Sequence, residues 1–332
     1  MSGTSLDGID VALIETDGER IEGRLGGMSM SYECKFRDRL RACLGSTTYD
    51  PKIQSIETEL TDLHANAVSL LLDKLGVKPK QVGLIGFHGH TICHQPEHRF
   101  TWQLGDGAQL AYVTGIDVVC DFRSADVAAG GEGAPLAPAY HNALCKGIEK
   151  PLAFLNLGGV ANVTWLDDTG SILAFDTGPA NALIDDWMDK KIGIAYDQDG
   201  QWAAKGISHT DFVTAWLTND YFSRRPPKSL DRDFFTSDPI ADLSTEDGAA
   251  TLTEFTVKSI QAATQFFPSV PLRWLVTGGG RKNTTIMQSL TSTLNLPFTN
   301  VESLGWNGDL LEAEAFAYLA IRSKHKMPIS WP

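Results

Sequence analysis

A chain of 332 residues with 42% hydrophobic and 21% charged residues has ordinary globular composition, and it is long enough for two core-bearing domains. Its formal net charge of −13 excludes nucleic acid and anionic membrane surfaces as electrostatic partners, so a phosphate-rich ligand would need backbone N–H groups, a metal ion or local basic side chains. Five cysteines without a CxxC pair exclude a disulfide framework or zinc knuckle and fit a reducing cytoplasm, and no apolar run reaches the ~18 residues that span a bilayer.

The chain opens on a turn, Gly3-Thr4-Ser5-Leu6-Asp7-Gly8, followed by the alternating run Ile9 to Ile14, which reads as one arm of a hairpin. Only Met1 and Ser2 precede the turn, so the natural chain is expected to start several residues earlier. A tail is likewise expected beyond Pro332. Apolar residues from Ile56 to Leu75 recur at three- and four-residue spacing and predict a helix over 55–75 that ends at Gly76. The short strand Val82 to Phe87 runs into the polar cluster His88-Gly89-His90-Thr91, and Val118 to Cys120 runs into Asp121-Phe122-Arg123. A buried strand whose C-terminal end opens into polar residues is the usual place for an α/β site.

The second half restarts with strand, glycine turn and strand over Ala153 to Trp165, with Gly158-Gly159 at the turn. A strand into Phe175-Asp176-Thr177-Gly178 and a helix from Ala180 to Lys190 follow. Ser244 and Asp247 form a capping box for a helix reaching Phe267. Leu275 to Gly280 is a strand into a glycine turn, and Leu310 to Ile321 a closing helix. Two halves that each begin on a hairpin around a glycine turn suggest a duplicated α/β domain with a cleft between. The boundaries expected are 1–140 with the closing helix 308–325, and 141–307.

Three glycine turns after apolar strands, at Gly3–Gly8, Gly158-Gly159 and Gly278-Gly279-Gly280, could each present backbone N–H groups to phosphate or simply reverse the chain. None matches the Walker or GxGxxG pattern, which disfavours P-loop and Rossmann readings. Asp176, backed by Thr-Gly-Pro, suits a general base as well as it suits a turn cap. Asp7 could approach a metal or its waters, or cap its own turn. His88, His90 and His94 fit polar substrate contacts or a hydrogen-bonded loop better than a metal set, and Glu312 could point into the cleft. No nucleophile elbow surrounds Ser5 or Ser124.

The segments MSGTSLDGID, FHGHTICHQP, the run from Gln103 to Pro138, LNLGGVANVT, FDTGPANALIDDW, YDQDGQWAAKG, TGGGRKN and GDLLEAEAFAYLA occur in order over nearly the whole chain. Together they resemble the anhydro-N-acetylmuramic acid kinase family. The resemblance implies a duplicated actin-like (ribonuclease H-like) ATPase fold of two domains. ATP and Mg2+ would bind with Gly3, Thr4, Ser5, Leu6, Asp7, Gly8, Ile9 and Asp10 as the first phosphate hairpin and Gly158-Gly159 as the second. Gly278 to Gly280 would hold the adenosine end. Asp176 would be the catalytic aspartate, Thr91, Arg123 and Glu312 the sugar contacts, and Asp7 a metal neighbour acting through water. It further implies a small sugar as substrate, peptidoglycan recycling as setting, a cytoplasmic location and a homodimer. His90, Cys93 and Glu132 stand where the family commonly has Gln, an aromatic residue and Gln. The rival expectations are a superfamily sugar kinase acting on a free hydroxyl, and a non-catalytic actin-like nucleotide-binding protein.

Overall fold

The computed structural model describes residues 1–3 and 6–330. Thr4 and Ser5, expected to line the first phosphate turn, lie outside the described residues. The chain forms two compact units: Met1–Lys146 with the residues from Leu310 on, and Gly147–Asp309.

In the first unit, strands β1 (Gly8–Thr16) and β2 (Ile21–Ser31) pair antiparallel around a turn in which the Asp17 carboxylate accepts the N–H groups of Glu19 and Arg20. Ser2 bridges Ile9 in antiparallel sense, so the expected hairpin around the opening turn does form, with a very short first arm. Helix α1 (Cys34–Arg41) leads to α2 (Pro51–Leu75). The apolar spacing placed the start of α2 near Ser55, but it begins about one turn earlier. The Asp50 side chain accepts the Ile53 N–H at 2.8 Å, and Pro51 sits at the first turn, where its missing N–H costs nothing. Gly76 ends it in the left-handed region at φ 67°.

Strand β3 (Ile85–Phe87) is followed by β4 (His90–Gln95) and β5 (Phe100–Leu104), an antiparallel hairpin where the sequence suggested a polar loop. Helix α3 (Gly107–Thr114) and strand β6 (Val118–Cys120) come next, with β6 parallel to β3. Two short helices, α4 (Ser124–Ala129) and α5 (Pro138–Leu144), complete this stretch.

The second unit opens with the meander β7 (Leu152–Leu157), β8 (Val160–Leu166) and β9 (Ile172–Pro179). Helices α6 (Asn181–Ile192), α7 (Thr210–Leu217), α8 (Asp220–Ser223) and α9 (Thr245–Ala263) precede β10 (Trp274–Thr277), α10 (Thr284–Leu294) and β11 (Phe298–Asn300). The sheet runs β11-β10-β7-β8-β9, with β10 parallel to β7 and to β11, and β8 antiparallel to its neighbours. An antiparallel meander extended by two parallel strands through helical crossovers is the ribonuclease H-like topology. Leu152, Ala153, Phe154 and Leu155 of β7 are all fully buried, as expected of a central strand covered on both faces.

The chain then returns to the first unit as helix α11 (Leu311–Lys324). It packs so closely on β3 that a Cβ on Gly86 would collide with the carbonyl of Phe316; only glycine fits there. Both units thus contain, in the same order and with other elements inserted, a hairpin, a long helix, a strand, a shorter helix and a parallel strand.

Candidate active site

Within the second unit, β7 and β10 run parallel and in register, Asn156 beside Thr277, so the turns that follow them emerge at one end of the sheet. Those turns are Gly158-Gly159 and Gly278 to Gly280. Asn181, first residue of α6, anchors the first of them, and its side chain lies against Gly280 of the second. Its backbone N–H donates to the Gly158 carbonyl at 3.1 Å, and its side-chain amide donates to the Leu157 carbonyl at 2.7 Å. The Gly159 carbonyl accepts the N–H groups of Ala180 and Ala182. Gly278 has φ 79°, and a Cβ there would meet the Asn156 side chain and lie 2.5 Å from the Leu157 carbonyl oxygen. Glycine at this position lets the turn pack directly against the end of β7, where a side chain would collide.

Arg281 fixes the Gly278 turn from beneath. Its buried guanidinium donates to the Gly278 carbonyl, to Glu302 and to Asp309, at 2.8 Å in each case, and Lys282 adds a bond to the second oxygen of Asp309. Burial alone would raise the Asp309 carboxyl. The bonds and charges of Arg281 and Lys282 outweigh it and hold the group below its ordinary range.

Asp176 lies near the end of β9, opposite Asn162 of β8, which is itself opposite Asn156 of β7. It therefore sits level with the two glycine turns, at the same end of the sheet. The residue is buried, with 9% of its surface exposed. Its N–H donates to the Lys228 carbonyl at 3.1 Å, its carbonyl accepts the Tyr221 hydroxyl, and its Oδ2 accepts the Leu230 N–H at 2.9 Å. Backbone and carboxylate are thus both held, as a general base requires.

In the first unit the opening turn is closed by the Leu6 N–H donating to the Gly3 carbonyl at 3.2 Å, with Leu6 buried and at φ 58°. Asp7 is exposed at the head of β1, and the Asp10 carboxylate accepts the Ser29 hydroxyl. Arg123 follows β6 and donates to Nε2 of His88 and to the Gly133 carbonyl. Glu312 lies in the first turn of α11. Desolvation raises its carboxyl above the ordinary range; Arg123 opposes that rise, while Asp10 and Asp7 reinforce it. The Glu312 carboxyl thus feels the charges of Arg123, Asp10 and Asp7, and Thr91 of β4 sits opposite Gln103 of β5, whose amide donates to it at 3.3 Å. Glu314, two residues on, turns the other way and accepts a hydrogen bond from the buried Tyr140.

His90, read as a substrate contact or part of a hydrogen-bonded segment, is fully buried, with Nδ1 bonded to Ser2 Oγ at 2.8 Å, which agrees with the second reading. His94 pairs with Thr101. Among the described residues no group of three or more His, Cys, Asp or Glu side chains converges as a metal site. A magnesium ion usually keeps several waters and takes one or two carboxylates beside substrate phosphates, and the exposed Asp7 carboxylate at the opening turn fits that donor pattern. Sequence reasoning missed Lys228, Tyr221, Asn181 and Arg281. The only hint of the first pair is an aromatic-rich stretch, with Tyr221-Phe222 before Pro226-Pro227-Lys228 and Phe234-Phe235 after.

A ribonuclease H-like unit with glycine turns at one end of its sheet, in a chain whose other α/β unit contains the same succession of elements, defines the actin-like ATPase and sugar kinase class. The family model for anhydro-N-acetylmuramic acid kinase matches residues 1–332, and the chain belongs to that family. An anhydro-N-acetylmuramic acid kinase of Paramagnetospirillum magneticum is 51% identical over all of this chain and 94% of its own length. Those of Rhizorhabdus wittichii and Zymomonas mobilis are 51% and 49% identical, over all of this chain and 93% and 94% of theirs. Among solved structures, the activator of 2-hydroxyisocaproyl-CoA dehydratase from Clostridium difficile aligns with 99% of the chain at 14% identity and a TM-score of 0.49.

Proposed function

We propose that the protein is an ATP-dependent kinase that hydrolytically opens the 1,6-anhydro ring of 1,6-anhydro-N-acetylmuramic acid and phosphorylates O6. The products are N-acetylmuramic acid 6-phosphate and ADP. The observation that carries this reading is the family match over residues 1–332, together with relatives of that name about half identical over the full chain.

The anhydro bridge joins C1 to O6, so O6 carries no proton to be removed before it attacks phosphorus. The group that needs activation is water. Asp176 takes a proton from water as the water oxygen bonds to C1 and the C1–O6 bond breaks, the task of an inverting glycosidase's base. The departing O6 bonds to the γ-phosphorus, and the bond between that phosphorus and its bridging oxygen to the β-phosphate breaks, releasing ADP. The proton on Asp176 then passes to solvent. A rigidly held carboxylate suits this role, and the bonds from Leu230, Lys228 and Tyr221 supply that rigidity.

Thr91, Arg123 and Glu312, in the first unit, are assigned to the sugar, and Asp176, in the second, is assigned to the water. The turns at Gly3–Gly8, Gly158-Gly159 and Gly278–Gly280 are assigned to the nucleotide. Magnesium, when bound with ATP, would neutralise charge on the phosphates, with Asp7 holding it through water. A homodimer, a cytoplasmic location and a place in peptidoglycan recycling belong to the same reading.

The test is incubation with ATP, Mg2+ and the anhydro sugar in 18O-labelled water. The expected product is a sugar 6-phosphate with one heavy oxygen at C1. A phosphorylated product without the label would identify a kinase acting on a free hydroxyl, with Asp176 deprotonating the sugar. Nucleotide turnover indifferent to any muramic sugar would identify an actin-like nucleotide-binding protein that has no sugar substrate. Sedimentation equilibrium tests the dimer.

A further inference from the structure

Lys228 is among the largest fully buried side chains of the protein, with 2% of its surface exposed. Burying an ammonium group is costly unless its charge is met. Here it donates to the Tyr221 carbonyl at 2.9 Å and lies against three rings: 4.6 Å from the centre of Tyr221, 4.7 Å from Phe266 and 5.6 Å from Phe175. Those rings come from α8, from the turn after α9, and from β9 immediately before Asp176. An aromatic cage of this kind stabilises a desolvated cation through the negative faces of the rings. Desolvation nonetheless pushes the amine down to about 8.

The bonds around this lysine close a circuit on Asp176. The Lys228 carbonyl accepts the Asp176 N–H, the Lys228 ammonium grips the Tyr221 carbonyl, and the Tyr221 hydroxyl donates to the Asp176 carbonyl. Two residues along the same strap, the Leu230 N–H donates to the Asp176 carboxylate. An apolar side chain could fill the cage, but it could not anchor the strap to Tyr221.

We propose that Lys228 is a positioning residue for the reaction: caged by Phe175, Tyr221 and Phe266, it pins the 228–230 strap that orients the Asp176 carboxylate. The inference rests on the assignment of Asp176 as the base. Lys228 touches neither substrate in this account, so its loss should appear in kcat and leave both KM values alone.

The test uses the full chain with ATP, Mg2+ and the anhydro sugar, and compares Lys228→Met, Lys228→Arg, Tyr221→Phe and Asp176→Asn with the double variant Asp176→Asn/Lys228→Met. The expected result for Lys228→Met is a kcat lowered about 10- to 100-fold, with KM for ATP and for the sugar within about twofold of the parent. Lys228→Arg should recover part of that loss. Tyr221→Phe keeps the cage and removes one hydroxyl, so it reads the same circuit if Lys228→Met fails to fold; a kcat lowered about 3- to 10-fold is expected. In the Asp176→Asn background, Lys228→Met should add no further loss, because it acts only through the carboxylate. Full additivity would show a merely structural role and overturn the proposal. So would Lys228→Met at parental kcat, or, where that variant does not fold, Tyr221→Phe at parental kcat. Parental kcat in Asp176→Asn itself would instead remove the base assignment and the inference with it, an outcome distinct from the others.

Discussion

The guanidinium of Arg123 donates to Nε2 of His88 from both Nε and Nη2, at 3.2 and 3.0 Å. The ring can accept because its other nitrogen, Nδ1, donates to the Gly89 carbonyl at 3.0 Å, which fixes the tautomer. Burial first, and then the charge of Arg123, hold His88 far below its ordinary range, so the ring stays neutral and keeps its lone pair for the arginine. Phe316 of α11 lies against the ring, with centres 4.4 Å apart. His88→Leu should therefore release Arg123 and raise KM for the sugar by about tenfold, with KM for ATP unchanged. Steady-state kinetics with each substrate varied in turn would read this. Equal changes in both constants would count against the assignment of Arg123 to the sugar.

Asp176→Asn removes the base and keeps the shape, since an amide oxygen can still accept the Leu230 N–H. General-base assistance is typically worth ~10²–10⁴-fold, so kcat should fall by that factor. Calorimetric titration with a non-hydrolysable ATP analogue should give parental affinity, because the nucleotide is assigned to other residues.

Gly278→Ala addresses the nucleotide turn. The substitution places a side chain at φ 79° and drives its Cβ against Asn156 and the Leu157 carbonyl. Relief requires the turn to move away from Gly158-Gly159, and ATP affinity should fall at least about tenfold, the equivalent of ~1.4 kcal/mol. Sugar binding, assigned to the first unit, should be unaffected. Parallel titrations with the two ligands distinguish the cases.

Buried histidines of the first unit set an acid limit on stability. Desolvation lowers His90 to about 4 and His141 to about 3, while the unfolded chain keeps both near 6.5. Between about pH 6.5 and the folded values, the unfolded chain binds protons that the native protein does not, so stability falls as pH falls through that window. Each group contributes a slope approaching ~1.4 kcal/mol per pH unit there. Urea unfolding at pH 7 and pH 5 should show the loss, and His141→Gln should reduce it; an unchanged slope would contradict the burial of this ring.

The readable parts of the fold were those in which one local rule decides the outcome. The three- and four-residue spacing of Ile56, Leu60 and Leu71 marks α2, and the Ser244 side chain caps α9 by accepting the Asp247 N–H as expected. The expected reciprocal half of that box is absent: Asp247 accepts the Ile207 N–H instead, a long-range partner that spacing cannot reveal. Strand β2 was not legible, because Gly23, Gly26 and Gly27 interrupt any alternation and β1 alone supplies its register. Strand β4 was hidden for a related reason: His90-Thr91-Ile92-Cys93-His94-Gln95 reads as polar loop until β5 is laid beside it. Lys228 was invisible because its cage draws rings from three separate elements, and nothing near it in sequence announces that burial.

Helix α11 belongs to the unit that begins at Met1, yet it follows the whole of the second unit in the sequence. A ribosome making this chain releases the five-stranded sheet of the second unit before it releases the helix that seals β3. The first half must therefore wait, with the β3 face meant for Phe316 uncovered, while the later half can already close on itself. A nascent chain stopped at Asp309 would carry a finished inserted unit inside an unfinished host, and the host's exposed strand would be the first place for a chaperone to bind or a protease to cut.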